Sequence, residues 1–285
     1  MLDGPFRGTA AIAAGLTTWG RLRGPAFVRL FPDVYVRADP RASDLVLRSR
    51  AAALLVEGRG VLGGYSAAAL LGADVAPRDA PAEVLVQREQ RTHPGLLVRR
   101  GDVLPPERRT AYGCTVTSPL RTAYDLARRL PLIEAVVAVD ALGDRAFDPA
   151  DLLRRRERGA RGGRRLDQVV ALADPRAESP METRTRLMLV LAGLPAPVVQ
   201  HEVFDARGRL VARFDLAYPE AMLAIEYDGA GHAGLGYDDR LRDIRTGALG
   251  WHTIRLTAAD LGRRRPETLA SIRAQLTSRR RSRTA

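Results

Sequence analysis

Two apolar runs in the last third of the chain, LVARFDLAY over 210–218 and MLAIEYDG over 222–229, carry carboxylates where a buried strand is expected to be apolar. An ionised carboxylate buried without a partner is costly. Any fold that uses these runs as strands must therefore neutralise Asp215 and Glu226 with cations, hydrogen bonds or a metal ion. Pro219-Glu220 supplies a turn between the runs, and alternation along a strand predicts Glu226 and Asp228 on one face with Tyr227 on the other. The spacing lets a hairpin bring Asp215 alongside Glu226, so two or three carboxylates share one cleft. Carboxylates with a backbone carbonyl, such as that of Tyr227, form the hard oxygen environment that suits Mg²⁺ or Mn²⁺.

The flanking segments bear on the same chemistry. SPMETRTRLMLVLAGLP reads as a helix with Ser179 at the N-cap, Pro180 next and Gly193 as the stop. Glu182 has two readings: Ser179-x-x-Glu182 is the form of a capping box, and the side chain also stands where it would join the acidic cluster. The following helix carries Arg240, Arg242 and Arg245. His232, just past Gly229-Ala230-Gly231, is placed to serve as general base toward an attacking water or as acid toward a leaving oxygen. An acidic pocket flanked by arginines matches metal-dependent phosphodiester hydrolysis, in which basic groups hold the nucleic-acid strand.

The composition agrees in sign. The 285 residues, at roughly 150 per domain, suggest two domains. They carry a net charge of +12, and all 45 cations are arginine, since lysine is absent. Asparagine is absent too, so part of this bias reflects a GC-rich codon supply, but a net positive charge still points to a phosphate-bearing partner. Without lysine there is no phosphate-cradling P-loop, Schiff-base lysine or Ser-x-x-Lys acyl-transfer motif. The single cysteine, Cys114, forbids an intramolecular disulfide, and His93, His201, His232 and His252 lack zinc-site spacing. Asp3 near the start and the lack of a long apolar run lead us to expect a soluble cytoplasmic chain with no membrane partner.

The first half is read mainly for organisation. Residues 9–23 read as two short helices joined at Gly15, with Thr17 or Thr18 as cap, and 27–36 as two strands turning at Pro32-Asp33. This is the outline of a winged helix, or equally of a small α+β subdomain. A helix is expected over 44–56, and Gly58-x-Gly60-x-x-Gly63 reads as a glycine cap and turn, with no nucleotide cofactor implied. Ser66 reads as an N-cap, 82–88 and 95–100 as strands, 115–117 as a further strand, and Ser118-Pro119 as a helix start. A helix follows over LIEAVVAVDAL and another after Asp148-Pro149, and the basic, glycine-broken stretch 154–165 reads as a hinge.

SPMETR, FDLAYPE, AIEYDGAGH, DDRLRDIR and GWHTIRLTAADL together resemble the restriction-endonuclease-like PD-(D/E)XK superfamily, in particular the bacterial domain similar to very-short-patch-repair endonucleases. The resemblance implies metal-binding carboxylates at Asp215 and Glu226, a helix glutamate at Glu182 and a proton-transfer histidine at His232. The superfamily's usual lysine is Asp228 here, which leaves the cation facing the transition state to Arg240 or Arg242. GLTTWGRLR, RLFPDVYVRAD, GGYSAAALLGA and TSPLRTAYDLA look like the winged-helix antitoxins of the abortive-infection AbiEi type. That likeness implies duplex DNA binding by the first 45 residues, with phosphate contacts from Arg21, Arg23 and Arg29, and repression of a toxin operon promoter.

The expected architecture is thus mixed α/β and α+β: a winged helix over 1–45, an α/β connecting region over 46–173, a restriction-endonuclease-like domain with a central mixed sheet over 174–278, and a basic tail over 279–285. The expected activity is Mg²⁺- or Mn²⁺-dependent cleavage of DNA. A non-enzymatic regulator or type IV antitoxin with a degenerate nuclease fold is the alternative, and an RNA-processing nuclease would present the same acidic site.

Overall fold

The computed structural model describes residues 3–38, 44–88, 90–144, 146–156, 162–229 and 237–284, excluding the side chains of 237–239 and 282–284. The chain divides into two compact units, Met1–Ala171 and Leu172–Ala285. Both are mixed α/β, and among the described residues no helix is long and apolar enough to cross a membrane.

The first unit opens with β1 (Phe6–Arg7), α1 (Gly8–Ala13), α2 (Trp19–Leu22), β2 (Phe27–Phe31) and β3 (Val34–Arg37), forming an antiparallel sheet in the order β1-β3-β2. Gly15 takes a φ of 68° between the helices, and Thr18 caps α2 by accepting the N–H of Arg21 at 3.3 Å. After α3 (Leu45–Leu55) come β4 (Gly60–Leu62), α4 (Gly64–Leu70), β5 (Ala82–Val86), β6 (Leu96–Arg100), β7 (Arg108–Ala111) and β8 (Cys114–Thr117). These strands make a mixed sheet ordered β6-β5-β4-β8-β7. The helices α5 (Pro119–Arg129), α6 (Leu132–Gly143), α7 (Asp151–Arg154) and α8 (Gly163–Leu172) follow.

Phe31 and Val34 share one apolar cluster with Ala51, Ala52, Leu62, Val84 and Val116, so the β2–β3 hairpin packs into the same core as the elements that follow it. Two local expectations change. Gly60–Leu62 is a strand rather than a turn, because glycine at Gly60 admits the close approach of β5: an added Cβ would lie 2.9 Å from the Leu85 carbonyl. Ser66 is buried inside α4 rather than capping it; its hydroxyl accepts the Glu83 N–H at 2.7 Å and bonds Ser49 at 2.7 Å.

The second unit runs α9 (Pro180–Leu191), β9 (Val198–Phe204), β10 (Leu210–Tyr218), β11 (Leu223–Tyr227), α10 (Tyr237–Ala248), β12 (His252–Leu256), α11 (Ala258–Leu261) and α12 (Arg265–Thr284). Its sheet is ordered β12-β11-β10-β9, antiparallel except for the β11–β12 pair, which is parallel as a crossover through α10 requires. Met188 and Leu189 of α9 and Ile272 and Leu276 of α12 pack with Leu216, Leu223 and Ile225 of the sheet. A second cluster places Trp251 against Phe214, Ala217 and Ala224. The 279–284 segment continues α12 instead of forming a tail: Arg279 donates to the carbonyls of Ala221 (2.8 Å) and Gly250 (2.7 Å), tying it to the loops of the sheet.

Candidate active site

The antiparallel pairing of β10 with β11 couples Leu216 to Ile225, Ala217 to Ala224 and Tyr218 to Leu223, and goes no further. Asp215 and Glu226 are the next residues on either side of this break. There the Asp215 Oδ2 accepts the Tyr227 N–H at 3.2 Å, a side chain taking over where the backbone ladder stops. Asp215 therefore lies within β10, three residues before its end, and not at a strand terminus.

Glu226, only 7% exposed, is held by arginines from two neighbouring elements. Arg242 of α10 donates to its Oε2 at 2.6 Å, and Arg255, its partner across the parallel β12, lies 3.7 Å from the same oxygen. Arg255 also pairs with Asp243 at 2.6 Å. Burial raises the Glu226 carboxyl above its usual range, against the opposing pull of these two arginines.

Glu182 enters from the first turn of α9. Ser179 accepts the Glu182 N–H at 3.1 Å, which is one half of a capping box. The other half is replaced: the Glu182 Oε2 accepts the Glu178 N–H at 2.9 Å and the side-chain amide of Gln200 at 2.8 Å. Glu182 thus bridges the backbone just before its own helix cap and β9, and at 8% exposure it is buried.

Asp215 feels both of the other carboxylates. Burial first, then the Glu182 charge, and then Glu226 push the Asp215 carboxyl up to about 6, while the Tyr227 N–H and Arg242 pull it down. Among the described residues, Glu182 and Glu226 make hydrogen bonds only through Oε2 and Asp215 only through Oδ2, leaving one oxygen on each without a partner. As they stand, no three acidic, histidine or cysteine side chains among the described residues are gathered closely enough to hold an ion. The donors are of the right kind and share one electrostatic field, but Arg242 occupies Glu226.

The other expected site residues separate. Asp228 lies one residue beyond β11; its N–H donates to the Leu256 carbonyl at 2.8 Å, and no hydrogen bond or ion pair of its carboxylate is found among the described residues. His232 lies outside the described residues. Arg240, Arg242 and Arg245 do not act as one face: Arg242 turns to Glu226, whereas Arg240 and Arg245 are exposed on α10. In the first unit Arg21, Arg23 and Arg29 are all exposed, close in sequence to the exposed side chains of Leu16, Trp19 and Val28. Gln200 and Arg255 are the contributors that sequence reading misses, because VVQHEVF lacks strand alternation and Arg255 has no motif to mark it.

No protein-family model matches the chain. A solved structure, that of the RV2827C protein from Mycobacterium tuberculosis, shares 18% identity over 71% of this chain and 84% of that one, with a TM-score of 0.39, too low to carry an argument. Over 259 residues the chain is 30% identical to the uncharacterized proteins MT2308 and Rv2248 from two strains of Mycobacterium tuberculosis, covering 88% of this chain and 92% of each relative. At that identity and coverage, the chain belongs to the same family as these two mycobacterial proteins.

Proposed function

We propose that the second unit is a divalent-metal-dependent phosphodiesterase acting on DNA, and that the first unit binds the duplex. The carrying observation is that Glu182, Asp215 and Glu226 each keep one oxygen uncommitted while Asp215 is raised to about 6. Buried carboxylates of this kind are what a cation relieves, and an all-oxygen donor set suits Mg²⁺ or Mn²⁺. The order of a helix, three antiparallel strands, a helix and a parallel strand, α9 to β12, supports a restriction-endonuclease-like reading.

Asp215 and Glu226 would hold the ion, with Glu182 orienting it or the water beside it. When bound, the ion would supply charge stabilisation at phosphorus and an activated water. Arg242 both blocks and serves: while it pairs with Glu226 it competes with the ion, and once released it is a cation beside the phosphate, in the role the lysine-free sequence leaves open. His232 is the proposed proton carrier. Arg240 and Arg245, exposed on α10, would contact the backbone of the strand. In the first unit, support for a winged helix comes from the order β1-α1-α2-β2-β3 and from exposed Arg21, Arg23 and Arg29.

Calorimetric titration of Mn²⁺ into the full chain tests this, with wild type beside Asp215→Asn. The proposal expects binding by the wild type that the variant loses; a folded wild type that takes up no Mn²⁺ refutes it. A second reading, a regulator or antitoxin that keeps the nuclease-like fold only for binding a promoter, is favoured by one observation: Glu226 is already neutralised by Arg242 and Arg255.

A further inference from the structure

Gln200 stands in the middle of β9, between His201, which pairs with Phe214, and Val199, which pairs with Leu216. A strand residue in that place is expected to be extended. Gln200 instead has a φ of 53°, a left-handed conformation that glutamine adopts rarely. Backbone strain of this kind persists where the surroundings require it. Here the side-chain amide reaches Glu182, donating from Nε2 to Oε2 at 2.8 Å. The same oxygen receives the Glu178 N–H at 2.9 Å. Both donors fall on one carboxylate oxygen, so the Glu182 group is fixed in rotation and Oε1 alone is left unbonded among the described residues.

We propose that Gln200 is a positioning residue of this site, held in a left-handed conformation in which its amide locks Glu182 with Oε1 presented to a divalent cation. The proposal rests on the metal-site reading above. It gives a role to a strained residue that is only half-buried. It also explains why Glu182 abandons the backbone N–H that a capping box would give it. Groups that orient a metal ligand without touching the metal typically change metal affinity 10- to 100-fold when removed.

Two substitutions separate the amide from the backbone. Gln200→Gly accepts the left-handed conformation without strain and removes the amide, while Gln200→Asn tolerates that conformation but carries its amide one methylene short of Glu182. Mn²⁺ titration of the full chain is expected to give at least about tenfold weaker binding for both, with far-ultraviolet circular dichroism unchanged. In the double variant with Glu182→Ala, Gln200→Gly is expected to weaken binding no further than Glu182→Ala alone, because Gln200 acts through Glu182. Wild-type affinity in Gln200→Gly overturns the proposal. Additive losses in the double variant overturn it as well, by placing the action of Gln200 elsewhere. A wild type that binds no Mn²⁺ overturns both this proposal and the metal-site reading, an outcome distinct from the other two.

Discussion

Asp215 is pushed up first by its burial and then by the charge of Glu182, and the effect is measurable without metal or substrate. Its folded-state pKa of about 6 lies above the ordinary 3.8, so the native state binds this proton more tightly than the unfolded state does. The stabilisation is complete below pH 3.8 and is lost as the pH climbs through 6. In chelator, Asp215→Asn retains an acceptor for the Tyr227 N–H and removes the repulsion from Glu182 and Glu226. The variant is therefore expected to unfold a few degrees above wild type at pH 8, with the gap closing toward pH 4; a pH-independent gap in thermal unfolding would show that the Asp215 carboxyl is not raised in the folded state. Arg242→Ala removes the cation 2.6 Å from Glu226 and leaves Arg255 at 3.7 Å. Because one partner of a largely buried pair is left behind, a loss of about 1–3 kcal/mol is expected. Saturating Mn²⁺ should restore more stability to this variant than to wild type, as read by the shift in its melting temperature.

Among the elements, β11 does two jobs, since its first three residues pair with β10 and are buried and its fourth is Glu226. Ile225 is fully buried between α9, α12 and the sheet, so Ile225→Ala should cost about 3 kcal/mol by chemical denaturation, and Ile225→Val about 1 kcal/mol. Elements whose signals are local were legible in sequence. Ser118 and Ser179 cap α5 and α9 as read, and the hairpin turning at Asp33, with φ 58°, lies where Pro32-Asp33 placed it. Elements that depend on partners were not. Gly60–Leu62 and Arg108–Ala111 are strands because neighbours pair with them, with no apolar alternation of their own. Val198–Phe204 was hidden because its outward face carries the apolar Val198 and Phe204, so the residue types do not alternate although the burial does. The candidate site divides in the same way. Its carboxylates stood out because charge in an apolar run is conspicuous, but their counter-ions did not, since Arg242 and Arg255 are two among 45 identical residues and only the crossover through α10 selects them.

For the whole molecule, a net charge of +12 means that the proposed affinity for DNA would depend on salt. If Arg21, Arg23 and Arg29 contact phosphates, replacing all three with alanine should reduce the slope of log affinity against log salt by about one per arginine. An unchanged slope in fluorescence-anisotropy titrations of a duplex would remove the first unit from the interface. That result would leave the chemistry of the second unit untouched, so the two claims stand apart. The most direct measurement is nicking of supercoiled plasmid by the full chain in Mn²⁺, with Asp215→Asn and a chelator as controls. Open-circular product that requires the ion and disappears in the variant is the predicted result. A wild type that binds DNA and Mn²⁺ yet leaves the plasmid intact, or product that persists in Asp215→Asn, would contradict the account.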